Sequence, residues 1–128
     1  MTHKELPPIT LSRPDCERLD RLATAAAATA SPAVEFLARE VARATVVAPG
    51  AALRGVVAME SKVEFRDDTT GQARTVTLVY PEDANLEQGR LSILTPVGAA
   101  LIGLSVGQSI EWQTPGGGWR SLTVLRVH

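Results

Sequence analysis

The chain has 128 residues, enough for one compact unit that buries a real core. Thirteen basic and fourteen acidic residues leave a formal net charge of −1, which argues against a protein held to nucleic acid by charge alone. The single cysteine excludes an internal disulfide, and no apolar stretch has the length of a signal peptide core or a membrane span. We therefore expect a cytoplasmic protein that does not bind membranes.

The first 48 residues have the pattern of two short helices. Ser12, Pro14 and Asp15 are typical of a helix start, because serine can accept from a free backbone N–H and proline costs no hydrogen bond there. Ser31-Pro32 is a second start signal. Apolar residues then recur at helical spacing, namely Leu19, Leu22, Ala23 and Ala26 in the first segment and Val34, Leu37, Ala38 and Val41 in the second. The sequence predicts an N-terminal antiparallel helical hairpin over residues 1–48.

The tip of this hairpin, residues 24–33, is small and uncharged. The nearest carboxylates, Asp20 and Glu35, lie about a turn or more back from it. Two helices of about fifteen residues reach only about 22–25 Å. Glu35 and Arg39 have the i,i+4 spacing of an ion pair on the outer surface. We expect a short arm without an acidic end.

From residue 49 onward the pattern changes to β-branched residues, alternation and glycine. Val63 and Phe65 alternate with charged residues, as in a half-buried strand, and residues 67–71 form a hairpin connection. Further strands are predicted around Val76 to Tyr80, Leu91 to Ile93, Ile110 to Trp112 and Leu122 to Val124, with a short buried helix in 96–104 and a turn at 115–118. The predicted fold class is α+β, with a mostly antiparallel sheet domain over residues 49–128 and one short helix on one face.

The sequence has no pattern that supports catalysis. His3 and His128 lie at opposite ends, so they give no basis for a Ser-His-Asp or Cys-His arrangement, and no metal-ligand or phosphate-binding spacing is present. Cys16 is expected to pack as a small apolar residue against Leu11. Asp67-Asp68 is interpreted as part of a solvated hairpin loop, with a weak cation site as the alternative. We expect a protein that is not an enzyme, needs no cofactor or metal, and binds a protein partner.

The segment from Arg90 to Gln108, RLSILTPVGAALIGLSVGQ, resembles the C-terminal signature of the bacterial transcript-cleavage factors GreA and GreB. The shared features are a strand ending in serine, a Thr-Pro pair, a short Ala-Leu-Ile-Gly helix and a Val-Gly pair before the next strand. Three further stretches, 57–66, 77–83 and 11–22, are similar to the Rnk family, the regulators of nucleoside diphosphate kinase. The resemblance covers nearly the whole chain.

The resemblance implies an FKBP-like C-terminal domain preceded by a short coiled coil. It also implies binding to RNA polymerase at the rim of the secondary channel, in competition with Gre factors. The polymerase-facing positions would be Ser92, Leu94, Thr95 and Pro96. Leu94 stands where GreB-like factors carry an acidic residue, and the alternative is that Leu94 belongs to the core. Structural roles are expected for Gly98, Ala100, Leu101 and Gly103.

The absence of acidic residues at the tip separates this chain from the Gre factors. Those factors use tip carboxylates to hold a metal ion in the polymerase active site, because Mg²⁺ takes hard oxygen ligands. The resemblance therefore implies a regulator of transcription elongation that binds RNA polymerase without stimulating cleavage and without sequence-specific nucleic-acid binding. We expect a monomer, with packing of the apolar hairpin stripe against another copy as the alternative. The family name gives control of nucleoside diphosphate kinase as an alternative.

Prolyl isomerase activity is a further alternative, raised by the FKBP-like fold. Such a site needs an aromatic-lined apolar pocket. The five aromatic residues, Phe36, Phe65, Tyr80, Trp112 and Trp119, are predicted on different elements and are explained as core or strand-surface residues. Fold alone is not evidence of that activity.

Overall fold

The computed structural model describes residues 6–29, 31–49, 53–114 and 116–128. Its helices and strands are, in chain order, β1 (Thr10–Ser12), α1 (Arg13–Ala26), α2 (Pro32–Arg43), β2 (Thr45–Val47), β3 (Lys62–Asp67), β4 (Gln72–Val79), β5 (Arg90–Ser92), α3 (Pro96–Leu101), β6 (Ser109–Gln113) and β7 (Trp119–Val127). Pro115 of the predicted 115–118 turn lies outside the described residues. No helix within the described ranges is long and apolar enough to cross a membrane. The mixed α+β class is confirmed.

The two helices begin where the sequence predicts. The Asp15 backbone N–H donates to the Ser12 side chain at 3.3 Å, and α2 begins at Pro32, although the Ser31 side chain makes no capping hydrogen bond. Leu19, Ala23, Val34, Leu37 and Val41 are buried as expected. Ala38 is exposed instead, because the buried stripe of α2 runs through Ala33, Leu37 and Glu40 and leaves position 38 beside it.

Two strands that the sequence does not predict close the base of the helical hairpin. β1 precedes α1, β2 follows α2, and the two pair in parallel, with Leu11 opposite Val46. Each strand has only three residues, too few for an alternating pattern to be recognised. The Thr10 backbone N–H also donates to the carbonyl of Gly103 at 3.1 Å. The base of the hairpin is thereby joined to the sheet half of the chain.

The main sheet has five strands in the order β5-β4-β3-β7-β6. The β3–β4, β3–β7 and β6–β7 pairs are antiparallel, as predicted. The β4–β5 pair is parallel, with Thr77 opposite Arg90. The prediction of a mostly antiparallel sheet therefore agrees with the structure, and this parallel pair at one edge is a feature that the sequence does not indicate. The reason for the parallel direction is the connection through residues 80–89, which contains two 3₁₀ turns and is long enough to return the chain before β5 begins.

Helix α3 and the helical hairpin share one hydrophobic core with the sheet. Buried residues of α1, α2, α3 and the five-stranded sheet belong to a single cluster. Gly98 and Gly103 are structural, because an added Cβ would lie 2.4 Å from the Ser92 carbonyl oxygen at Gly98 and 2.8 Å from Ile9 at Gly103. Gly103 also has φ of +79°, which favours glycine. The division into domains 1–48 and 49–128 stays a prediction.

Candidate functional site

A groove with a volume of about 660 Å³ opens between α2, the start of α3 and one end of the five-stranded sheet. We call its large buried and half-buried apolar residues the floor: Phe36, Leu91, Leu94, Val97 and Trp112. We call its exposed charged residues the rim: Glu35, Arg39, Arg74 and Arg120. The volume falls within the range of roughly 300–1,000 Å³ typical of ligand-binding pockets.

Strand alternation places two rim arginines over the inner face of the sheet. Arg74 is on the same face of β4 as buried Val76 and Leu78, because side chains two residues apart point the same way. Arg120 has the same relation to buried Leu122 on β7. The helices cover the part of this face where the apolar residues lie. The arginines therefore occupy its uncovered end.

Three of the four predicted partner-binding residues line the groove. Leu94 belongs to the floor, while Thr95 and the exposed Pro96 line the groove beside it. Ser92 is not among the lining residues and instead shapes the turn, since its hydroxyl accepts a hydrogen bond from the Leu94 backbone N–H at 3.1 Å. Leu94 is half-buried, and its side chain packs against the core and also lines the groove. Its role in binding polymerase stays a prediction.

The Thr95 side chain makes hydrogen bonds to neighbouring backbone groups. Its hydroxyl donates to the Ser92 carbonyl oxygen at 2.7 Å and accepts from the Gly98 backbone N–H at 3.1 Å, so it caps α3. Pro96 follows at the first helical position, where its missing N–H costs nothing. The Ser92–Pro96 segment is consequently a rigid turn that presents Leu94 and Pro96 to the groove.

Sequence reasoning missed the other groove residues. Phe36 and Trp112 are predicted on separate elements, yet they meet in the floor. The i,i+3 spacing of Phe36 and Arg39 would have placed both on one helix face, but nothing in the sequence indicates that this face meets β6. The expected Glu35–Arg39 ion pair is absent from the salt bridges between described residues, and both side chains line the groove instead.

The rim carries an excess of positive charge. Arg120 pairs with the carboxylate of Asp67, whereas Arg39 and Arg74 have no ion-pair partner in the described part of the chain. Partial burial alone would raise the pKa of Asp67, but hydrogen bonds from the Thr69 backbone and the Arg120 guanidinium lower that pKa below its ordinary value. Asp67 is therefore ionised and neutralises only one rim arginine.

Reactive and metal-binding groups are not gathered at this site. Burial, followed by the nearby carboxylates of Asp20 and Glu17, raises the pKa of the Cys16 thiol and disfavours the reactive thiolate. Cys16 packs against the core cluster as a small apolar residue. Within the described ranges, no three His, Cys, Asp or Glu side chains form a group that could hold a metal ion. What the groove presents is an apolar floor and a charged rim.

Comparison with known proteins identifies the family. Residues 52–128 match the family described as "Transcription elongation factor, GreA/GreB, C-term", and residues 7–47 match "Rnk N-terminus". The Regulator of nucleoside diphosphate kinase of Escherichia coli (strain K12) is 40% identical over 121 residues, which are 94% of this chain and 89% of that protein.

Two further relatives support this assignment. The transcription elongation factor GreA of Thermodesulfovibrio yellowstonii is 35% identical over 82 residues, 64% of this chain and 52% of that protein. A solved structure, the prokaryotic transcription elongation factor GreA/GreB from Nitrosomonas europaea, has 40% identity and a TM-score of 0.72 over 94% of this chain and 98% of that one. This chain therefore belongs to the GreA/GreB family of transcription elongation factors, in the branch that carries the Rnk N-terminus.

Proposed function

We propose that this protein regulates transcription elongation by binding RNA polymerase through the groove, at the rim of the secondary channel and in competition with Gre factors. Family membership supports a role in transcription. The observation that carries the proposal is the position of Leu94, Thr95 and Pro96. The family resemblance implies these residues as polymerase-facing, and they line a groove with an apolar floor.

The protein binds the polymerase without stimulating transcript cleavage. Residues 24–29 and 31–33 of the hairpin tip include no carboxylate, so they supply no hard oxygen ligand from an acidic side chain. Helix α1 has 14 residues and is about 21 Å long at 1.5 Å per residue. Glu35, the first acid after the tip, is at the groove rim. The helical hairpin therefore occupies the secondary channel without supplying carboxylate ligands to a metal ion in the polymerase active site.

The proposal includes three structural features. The sheet domain is FKBP-like, the two helices act as a short coiled coil, and the protein works as a monomer in the cytoplasm. The arrangement of helices on the sheet supports the first feature, and the contact between α1 and α2 supports the second. The monomeric state and the cytoplasmic location are carried over from the sequence analysis.

A pull-down with core RNA polymerase tests the binding. Pro96→Glu adds a negative charge at an exposed groove position. Glutamate is favourable in the first turn of a helix, so the variant should fold, and we expect less of it to be retained by the polymerase. Leu86→Glu is the matched control, because Leu86 is 75% exposed and lies outside the groove. Wild-type protein should also displace GreA from the polymerase. Absence of any association at micromolar protein would exclude the proposed function.

A stalled elongation complex tests the missing cleavage activity. We expect no increase in the rate of transcript shortening when this protein is added, and slower shortening when it is added together with GreA. Stimulated cleavage by this protein alone would contradict the role assigned to the uncharged tip.

Direct control of nucleoside diphosphate kinase is the second candidate function. The observation in its favour is the name of the relative that is 40% identical over 94% of this chain. Steady-state kinetics of the purified kinase with and without this protein test it directly, and unchanged kinetics would remove the direct form of this candidate. The same preparation can be assayed for prolyl isomerisation of a model peptide, for which we expect no acceleration.

A further inference from the structure

We infer that the groove takes an acidic, partly apolar segment of a protein partner, with its carboxylates held by Arg39 and Arg74. This inference deepens the proposed function and rests on it, because it describes the chemistry of the polymerase segment that docks. Two features of the groove favour such an occupant, namely an apolar floor and a rim with an excess of positive charge.

The floor supplies the apolar part of the recognition. Phe36, Leu94 and Val97 are half-buried, so each keeps surface that the core does not cover. All three face the same groove. Burial of apolar surface contributes roughly 25 cal/mol per Å² removed from water, so a partner gains by placing apolar side chains here.

The rim supplies the charge. Three arginines face one glutamate around the groove, although the whole chain has a net charge of −1. Arg120 is engaged by Asp67, while Arg39 and Arg74 lack an ion-pair partner among the described residues. Guanidinium groups bind carboxylates with two parallel hydrogen bonds. The complementary ligand therefore carries carboxylates next to its apolar side chains.

A nucleic-acid ligand fits these observations less well. Single strands are held by aromatic faces on which bases stack, together with an extended positive groove. Trp112 is only 9% exposed and offers little surface for stacking. Arg39 and Arg74, which have no ion-pair partner in the part of the chain that the structure describes, share the rim with Glu35 and make a short basic patch compared with the track that a nucleic-acid strand needs.

A charge-reversal experiment on the full chain tests the inference. Arg39 and Arg74 are both exposed, so the double variant Arg39→Glu/Arg74→Glu should fold, and circular dichroism checks this. We expect its affinity for core RNA polymerase to fall about tenfold or more, with a weaker salt dependence than wild type. Arg126→Glu is the control, because Arg126 is an exposed strand arginine outside the groove, and its affinity should stay close to that of wild type.

This assay separates the inference from the proposed function. If wild-type protein binds polymerase and the double reversal binds equally well, the acidic-segment inference is wrong while the polymerase role stands. If wild-type protein does not bind polymerase, the proposed function is wrong, and the chemistry of the groove is then decided by titration of the protein alone.

That titration uses nuclear magnetic resonance of isotope-labelled protein and three probes. The probes are a soluble peptide of alternating Glu and Leu pairs, the same peptide with Lys for Glu, and a short oligothymidine. We expect the acidic peptide alone to shift the signals of Phe36, Arg39, Leu94 and Val97. Shifts caused by the lysine peptide or oligothymidine instead, or no shifts with any of the three, would overturn the inference.

Discussion

Glu40 and Arg43 form an ion pair with two hydrogen bonds at the base of the helical hairpin. The Arg43 Nε and Nη2 groups donate to the two carboxylate oxygens of Glu40 at 2.6 and 2.8 Å. Glu40 is fully buried at 0% exposure, and Arg43 also donates to the backbone carbonyl of Pro7. The pair therefore neutralises a buried carboxylate and fixes the segment that leads into β1.

Arg43→Ala should destabilise the protein severely. It leaves Glu40 buried without its cation and removes the hydrogen bond to Pro7, and breaking one side of a buried pair costs about 3–5 kcal/mol. Urea unfolding measures this change. Arg39→Ala is the control on the same helix, since Arg39 is exposed, and it should change the free energy of unfolding by less than about 0.5 kcal/mol. If Arg43→Ala cost no more stability than Arg39→Ala, the dependence of buried Glu40 on its cation would be disproved.

Tyr80 should make folding stability depend on alkaline pH. Burial, followed by the nearby carboxylate of Asp15, raises the pKa of Tyr80 to about 12, while Arg18, 3.6 Å from the ring centroid, opposes part of this shift. The folded state therefore disfavours the ionised phenolate. The contribution of the neutral Tyr80 phenol to stability is fully present below the unfolded pKa of about 10, and it is lost as the pH rises from about 10 to 12.

Ultraviolet titration checks this value, because the chain contains a single tyrosine. The phenolate absorbance should appear near pH 12 in native protein and near pH 10 in urea-unfolded protein. Tyr80→Phe should remove this part of the pH dependence of unfolding. A native midpoint near 10 would contradict the assigned burial.

Asp67 and Asp68 should make stability depend on acid pH. Partial burial would raise the pKa of each carboxyl, but hydrogen bonds lower both pKa values below the ordinary value. Asp67 accepts from the Thr69 backbone and from Arg120, and Asp68 accepts from Thr123 and other groups. A lowered native pKa gives stability that is present above the unfolded pKa of about 4 and is lost as the pH falls through the native pKa.

The double variant Asp67→Asn/Asp68→Asn should flatten the stability profile below about pH 4. Urea unfolding at several pH values measures this slope. Asp83→Asn is the control, because Asp83 is exposed and lies in the separate 3₁₀ turn Pro81–Asp83. An unchanged acid slope in the double variant would show that these carboxylates do not couple to folding.

Much of the fold follows from local patterns in the sequence. Ser12 and Pro32 mark the two helix starts, and the alternation of Val63 and Phe65 gives β3. Strands β1 and β2 do not follow, because three residues next to a helix are too few to show a period of their own. The parallel direction of the β4–β5 pair does not follow either, because pairing direction depends on the path of the connection. Local pattern specifies elements, while long-range pairing decides their directions.

The candidate site was predictable only in part. Leu94 and Pro96 belong to one contiguous motif, so the resemblance to Gre factors reaches them directly. Phe36, Arg74 and Trp112 come from three separate elements, and only the packing of α2 beside the sheet brings them together. A sequence pattern does not indicate that residues of separate elements lie together unless the relative positions of those elements are already known.

Gly98→Ala should disrupt the Ser92–Pro96 turn, which presents Leu94 and Pro96 to the groove. Alanine usually favours a helix over glycine by about 1 kcal/mol, but here its Cβ would lie 2.4 Å from the Ser92 backbone oxygen, which has no side-chain freedom to move away. Because that contact is far closer than van der Waals distance, strain outweighs propensity, and we expect a net loss of about 1–3 kcal/mol. Gly116→Ala is the control, since nothing lies within 4 Å of its added Cβ and its φ is not positive. Thermal unfolding compares the two variants, and polymerase retention should fall with Gly98→Ala alone. If Gly98→Ala matched wild type in both measurements, the close approach to Ser92 would have no role in shaping the groove.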